Sequence, residues 1–170
     1  MEQNRFKRLL QHWLHPRFRV ERYFPQTGLQ NIGSAIARSE TDHAGQIRFV
    51  VESGYPAYAV LSGLQPRARA WQWFGELGVW DTEMNSGVLV YVSFADHAVE
   101  IVADRGITAK VDDEVWAEIC ALMRDNFKQG NFVPGLEQGL NRITEILTAA
   151  FPKSEAHVAG DELPNDVVLY

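Results

Sequence analysis

Residues 79–106 read V-W-D-T-E-M-N-S-G-V-L-V-Y-V-S-F-A-D-H-A-V-E-I-V-A-D-R-G, and this stretch decides the fold. An acidic loop, D-T-E-M-N, feeds the apolar run 88–94, a three-residue turn Ala95-Asp96-His97, and a second strand over 98–103. A gap of that length is ordinary for a hairpin. The nearly unbroken apolar character of 88–94 predicts a central strand covered on both faces.

Upstream, I-R-F-V-V-E at 47–52 is rich in β-branched residues and predicts another strand. A helix is expected between the two strands, opening at Pro66, burying Ala70, Trp73, Phe74 and Leu77, and closing at Gly78. Strand, helix and strand make a βαβ unit with parallel strands. Thr27 and Gln30 have capping-box spacing for a helix burying Leu29, Ile32 and Ile36. Downstream, helices are expected from Asp112 or Asp113 to about Lys128, and over about 133–151 until Pro152. The order favours a three-layer α/β/α sandwich around a small mixed central sheet.

Residues 4–15 carry Phe6, Leu9, Leu10, Trp13 and Leu14 on one helical stripe, with Lys7, Arg8 and Gln11 opposite. The expected role of that stripe is packing on the domain's own body. Three segments follow: 1–26, an amphipathic helix and a linker anchored by Phe18, Tyr23 and Phe24; 27–152, the α/β domain; and 153–170, an extended tail.

Net charge is −6. Six Lys/Arg against two Glu give residues 1–22 a net +4, which leaves −10 elsewhere. An acidic whole is unsuited to nucleic acid. A basic amphipathic start can meet an anionic membrane surface. No stretch nears the ~18 apolar residues that span a bilayer, and no signal-like segment opens the chain, so a soluble cytoplasmic protein is expected. Lone Cys120, amid Ile119, Leu122 and Met123, reads as a buried inert thiol. No G-x-S-x-G, glycine-rich phosphate loop or H-E-x-x-H occurs, and no small-molecule substrate suggests itself.

Asp81, Glu83 and Asn85 alternate in the acidic loop, and an antiparallel hairpin brings Asp104 alongside. Carboxylates gathered in one corner need a cation, a proton or an arginine. Arg105 is the internal compensator, and an all-oxygen set suits Ca²⁺ or Mg²⁺ rather than zinc. The blander alternative is that Asp81 and Asn85 only stabilise a turn and that Asp104 and Arg105 form a surface pair. In open α/β sheets, sites instead gather beyond the strands' carboxyl ends, here Glu52-Ser53-Gly54 and Phe94. The density of oxygen ligands gives the acidic loop precedence.

The motifs G-Q-I-R-F-V-V-E (45–52), V-W-D-T-E-M-N-S-G-V-L-V-Y-V (79–92), V-E-I-V-A-D-R-G-I (99–107) and F-K-Q-G-N-F-V-P-G-L (127–136) together resemble the TPM domain family, over about 29–151. That family includes bacterial proteins, a thylakoid-lumen protein of photosystem II repair and a nematode acetylcholine-receptor modulator. The tail D-E-L-P-N-D-V-V-L is similar to that of compact bacterial members without a membrane anchor. The resemblance implies an α/β/α sandwich, a loop site for divalent cations, an acid-phosphatase activity proposed for the plant protein, and a LemA-type membrane protein as partner. Three functions therefore compete: a cation-binding assembly or maintenance module using Asp81, Glu83, Asn85 and Asp104; a metal-assisted acid phosphatase with Arg105 as charge partner; and a membrane-surface adaptor.

Overall fold

The computed structural model describes residues 2–153 and 162–170. The elements are α1 (Glu2–Leu14), α2 (Arg17–Val20), α3 (Gln26–Ser39), β1 (Gln46–Glu52), α4 (Ala57–Leu61), α5 (Pro66–Glu76), β2 (Gly87–Ser93), β3 (Ala98–Ala103), α6 (Arg105–Thr108), α7 (Asp113–Lys128), α8 (Phe132–Ala150) and β4 (Val168–Leu169). The strands form one mixed sheet in the order β3-β2-β1-β4. β1 runs parallel to β2 and to β4, while β2 and β3 are antiparallel.

Because strand side chains alternate, each central strand serves two cores. Ile47, Phe49 and Val51 of β1 and Val88, Val90 and Val92 of β2 pack with α3, α7 and α8. Val50, Leu89 and Tyr91 turn to the other face, under α4 and α5. Every residue of β1 and β2 is buried, including Arg48, Glu52 and Ser93. The α/β/α layering is therefore as the sequence predicts, and so is the βαβ unit through α5.

The linker and the start of α3 differ from expectation. The 16–26 linker contains the short helix α2; Phe24 is fully buried and Tyr23 packs against Phe94 and Phe132 as expected, while Phe18 is exposed. Helix α3 begins at Gln26 behind Pro25, with no side-chain cap from Thr27. Residues 57–61 form a short helix behind Pro56.

The described part of the extended tail ends in a fourth strand, Val168–Leu169, paired with β1; residues 154–161 of it lie outside the described residues. Tyr170 N–H donates to Val51 O at 2.9 Å, and Ser53 N–H donates to Tyr170 O at 2.8 Å. Buried Arg48 donates to Pro164 O and to Asp166 Oδ1. Gln46 Oε1 accepts from Glu162 N and Leu163 N. A two-residue strand has little apolar area of its own, so these polar pins hold its register.

Candidate functional site

The acidic loop is shaped by its own backbone. Gly78 sits at φ +64° and Asn85 at φ +51°, a left-handed region that asparagine tolerates. Thr82 Oγ1 accepts Ser86 N–H at 2.8 Å, and Thr82 O accepts Asn85 N–H at 3.0 Å. The loop then meets the end of the hairpin: Asp104 N–H donates to Gly87 O at 2.9 Å and Gly106 N–H to Asn85 O at 3.0 Å. Glycine is required at 106, where an added Cβ would lie 2.6 Å from both Met84 O and Asn85 O.

Of the predicted site residues, Asn85, Asp104 and Arg105 come together. Arg105 Nε donates to Asn85 Oδ1 at 2.7 Å, and Arg105 N–H donates to Asp104 Oδ1 at 2.7 Å. Asp104 Oδ2 is buried with no hydrogen-bond partner. Asp81 and Glu83 are exposed, with Glu83 N–H donating to Glu162 Oε2. Among the described residues no group of three or more His, Cys, Asp or Glu is arranged to hold a metal ion. The fit to a divalent cation is thus one anchored carboxylate, Asp104, with the other oxygen donors still to be gathered and Arg105 already on Asn85.

A denser set of polar side chains lies at the opposite end of β1 and β2, beyond their carboxyl ends. Glu52 is fully buried. Its carboxylate accepts from Arg69 Nε (3.0 and 3.1 Å) and Nη2 (2.9 Å), from Trp73 Nε1 (3.0 Å) and from Tyr91 OH (2.5 Å). Tyr91 OH lies 3.0 Å from Tyr55 OH. Burial pushes both phenols up, Tyr55 to about 12 and Tyr91 further. Burial works against the Arg69 guanidinium's charge, but its pairing with Glu52 prevails and raises its pKa.

Next to this network, Asp96 in the hairpin turn clasps α1. Arg8 Nε and Nη2 donate to its two oxygens at 2.7 and 2.9 Å, and Nη2 also donates to Leu64 O at 2.6 Å. His12 Nε2 lies 3.1 Å from Asp96 Oδ1, Ser93 Oγ donates to Oδ2 at 3.2 Å, and Tyr55 N–H donates to His12 Nδ1 at 2.8 Å. That last bond places the ring hydrogen on Nε2, facing the carboxylate. Burial alone would raise the Asp96 carboxyl, yet the bonds from Arg8 and His12 hold it well below the usual carboxylate range.

The clasp sets which way α1 faces, and it reverses the expectation. Arg8 and His12, four apart, point into the body together with Leu9. Phe6, Leu10 and Trp13, spaced four and three apart, are 73%, 48% and 76% exposed. The helix thus turns Arg8 and His12 inward and presents Phe6, Leu10 and Trp13 to water. Periodicity reveals the stripe but not which side the body takes, and Arg8 and Asp96 are 88 residues apart. Arg5 and Lys7 of α1 and Arg17, Arg19 and Arg22 just after it are exposed.

Cys120 is buried, and burial lifts its thiol to about 11, as suits an inert side chain. Among the described residues no helix is long and apolar enough to cross a membrane.

Comparison with known proteins gives a match to the TPM domain family model over residues 4–146. Among solved structures, the chain is similar to the NMR structure of BA42 protein from the psychrophilic bacterium Bizionia argentinensis. Identity is 30%, the TM-score is 0.72, and the match covers 84% of this chain and 92% of that one. The curated proteins contain no match to the sequence.

Proposed function

This chain belongs to the TPM domain family, and from that premise we propose that it is a non-catalytic module that docks on an anionic membrane surface through the outward face of α1 and serves assembly there. The observation that carries this reading is the orientation of the helix: Phe6, Leu10 and Trp13 of α1 face water while Arg8 and His12 are tied down inside. A scattered exposed leucine needs no explanation, but a contiguous apolar stripe does. Aromatic and leucine side chains flanked by Lys and Arg suit the boundary between headgroups and acyl chains, and each cation near an anionic leaflet adds about 1 kcal/mol. The remaining −10 of charge on the body turns the molecule so that α1 leads.

The test is co-sedimentation with vesicles of phosphatidylglycerol in phosphatidylcholine. Binding is expected at low salt, weaker as salt screens it. Replacing Phe6, Leu10 and Trp13 together by Ser is expected to weaken it at least about tenfold. A wild-type chain that ignores protein-free vesicles but binds a LemA-type membrane protein would move the partner from lipid to protein.

The unpartnered Asp104 Oδ2 favours a second reading, in which the hairpin mouth takes Ca²⁺ or Mg²⁺ on Asp104, with Asp81, Glu83 and Asn85 completing the oxygen set. At roughly ten times the dissociation constant the ion would add about 1.4 kcal/mol, or about 3–6 °C in Tm. Asp104→Asn is expected to remove that gain. An unchanged Tm in wild type at millimolar Ca²⁺ and Mg²⁺ would discard the cation. Phosphate-ester turnover present in wild type and absent in Asp104→Asn would make this corner a metal-assisted phosphatase, with Arg105 stabilising charge.

A further inference from the structure

Between α1 and the 54–57 turn runs a cleft of about 710 Å³, within the range of pockets that engulf a small ligand. Leu9, Leu10 and Trp13 line it from α1, Tyr55 and Pro56 from the turn, and Tyr170 from the end of the tail. Several polar groups on the lining are already engaged. The two nitrogens of His12 face Tyr55 N–H and Asp96, and Ser53 N–H is bonded to Tyr170 O. No aspartate or glutamate side chain is among the described lining residues. Phe6, Leu9, Leu10, Trp13 and Pro56 make the lining mostly apolar, which suits an elongated apolar ligand.

Leu10 and Trp13 belong to this lining and also to the outward face of α1. A chain leaving a bilayer on which α1 rests would thus enter the cleft without crossing water. Arg19 Nη1 donates to Leu14 O at 2.8 Å, which holds an exposed guanidinium at the carboxyl end of α1, the helix that forms one wall, where it suits a phosphate. Resting on the docking reading above, we propose that this cleft receives one acyl chain of an anionic phospholipid drawn from the bilayer, with the headgroup left at the basic rim.

The test uses the full chain and soluble phosphatidylglycerols below their micelle concentrations. Dioctanoyl-phosphatidylglycerol is expected to raise Tm and shift tryptophan emission. If one chain is buried, its two extra methylenes make it bind about tenfold tighter than the dihexanoyl form. Glycerol phosphate should do nothing. Ala57 is exposed at the cleft, so Ala57→Trp is expected to fill it and remove the response while vesicle binding stays within about twofold. The chain-length series on the unaltered protein gives an answer even if that variant folds poorly. Equal affinity for both chain lengths, or a wild-type response in a folded Ala57→Trp, overturns the cleft and leaves the docking reading standing. A larger response to decanoate than to either phospholipid overturns the phospholipid assignment in favour of a free fatty acid. Loss of all vesicle binding in the unaltered protein overturns the docking reading itself, whatever the soluble lipids do.

Discussion

Arg69→Ala is expected to lower the free energy of unfolding by about 3–5 kcal/mol, seen as a lower urea midpoint at unchanged slope. Glu52 is fully buried at the carboxyl end of β1, and Arg69 supplies its positive charge through three contacts of 2.9–3.1 Å. Removing the guanidinium leaves a carboxylate in the core with only Trp73 Nε1 and Tyr91 OH as donors. That loss exceeds what the pair contributes against an apolar replacement, because an unpaired buried charge carries its full desolvation cost. Arg69 also stacks over the Trp73 ring at 4.7 Å, so some packing goes with the charge. In a double-mutant cycle, Glu52→Gln in the Arg69→Ala background should recover much of the loss. A single-mutant cost below about 1 kcal/mol would mean that water reaches Glu52 and that this end of the sheet is looser than its burial implies.

The second large effect is on α1. Asp96→Ala is expected to cost about 2–3 kcal/mol and, more tellingly, to free the backbone amides of α1 to hydrogen exchange while those of β1 and β2 stay protected. Arg8, His12 and Ser93 all converge on that carboxylate, whereas α1 places little apolar surface on the body beyond Leu9. The same contact has a pH signature. The folded-state carboxyl is depressed below its ordinary value of 3.8, so its contribution is complete above that value and is lost as pH falls through and below it. Wild-type stability should therefore drop between about pH 5 and pH 2, and Asp96→Ala should lack that part of the acid limb. Equal protection of α1 in both proteins would show that the helix is held by something other than the clasp. The outward orientation of Phe6, Leu10 and Trp13 would then need another cause.

Much of the fold was legible because it rests on local periodicity. The apolar run 88–94 and the β-branched run 47–52 are the strands β2 and β1, and Pro66 does open α5. Alternation along those strands also fixes two cores, since successive side chains must take opposite faces. The hairpin was legible too, and with it the approach of Asp104 and Arg105 to Asn85. Less legible was the carboxyl-end network. Glu52 ends a strand and looks like a boundary residue, and nothing near it in sequence announces Arg69, Tyr91 or Trp73 as donors.

Sequence alone determined the α/β class, the parallel β1–β2 pair with its crossover helix, the family and the acidic hairpin mouth, because each depends on neighbours or on a repeat of fixed period. Only the tertiary structure decided the burial of Glu52, the seat of the tail as a fourth strand, and above all the side of α1 that meets water. A helical stripe is symmetric as a pattern. A single carboxylate, Asp96, brought from 84 and 88 residues away, breaks that symmetry by drawing Arg8 and His12 inward.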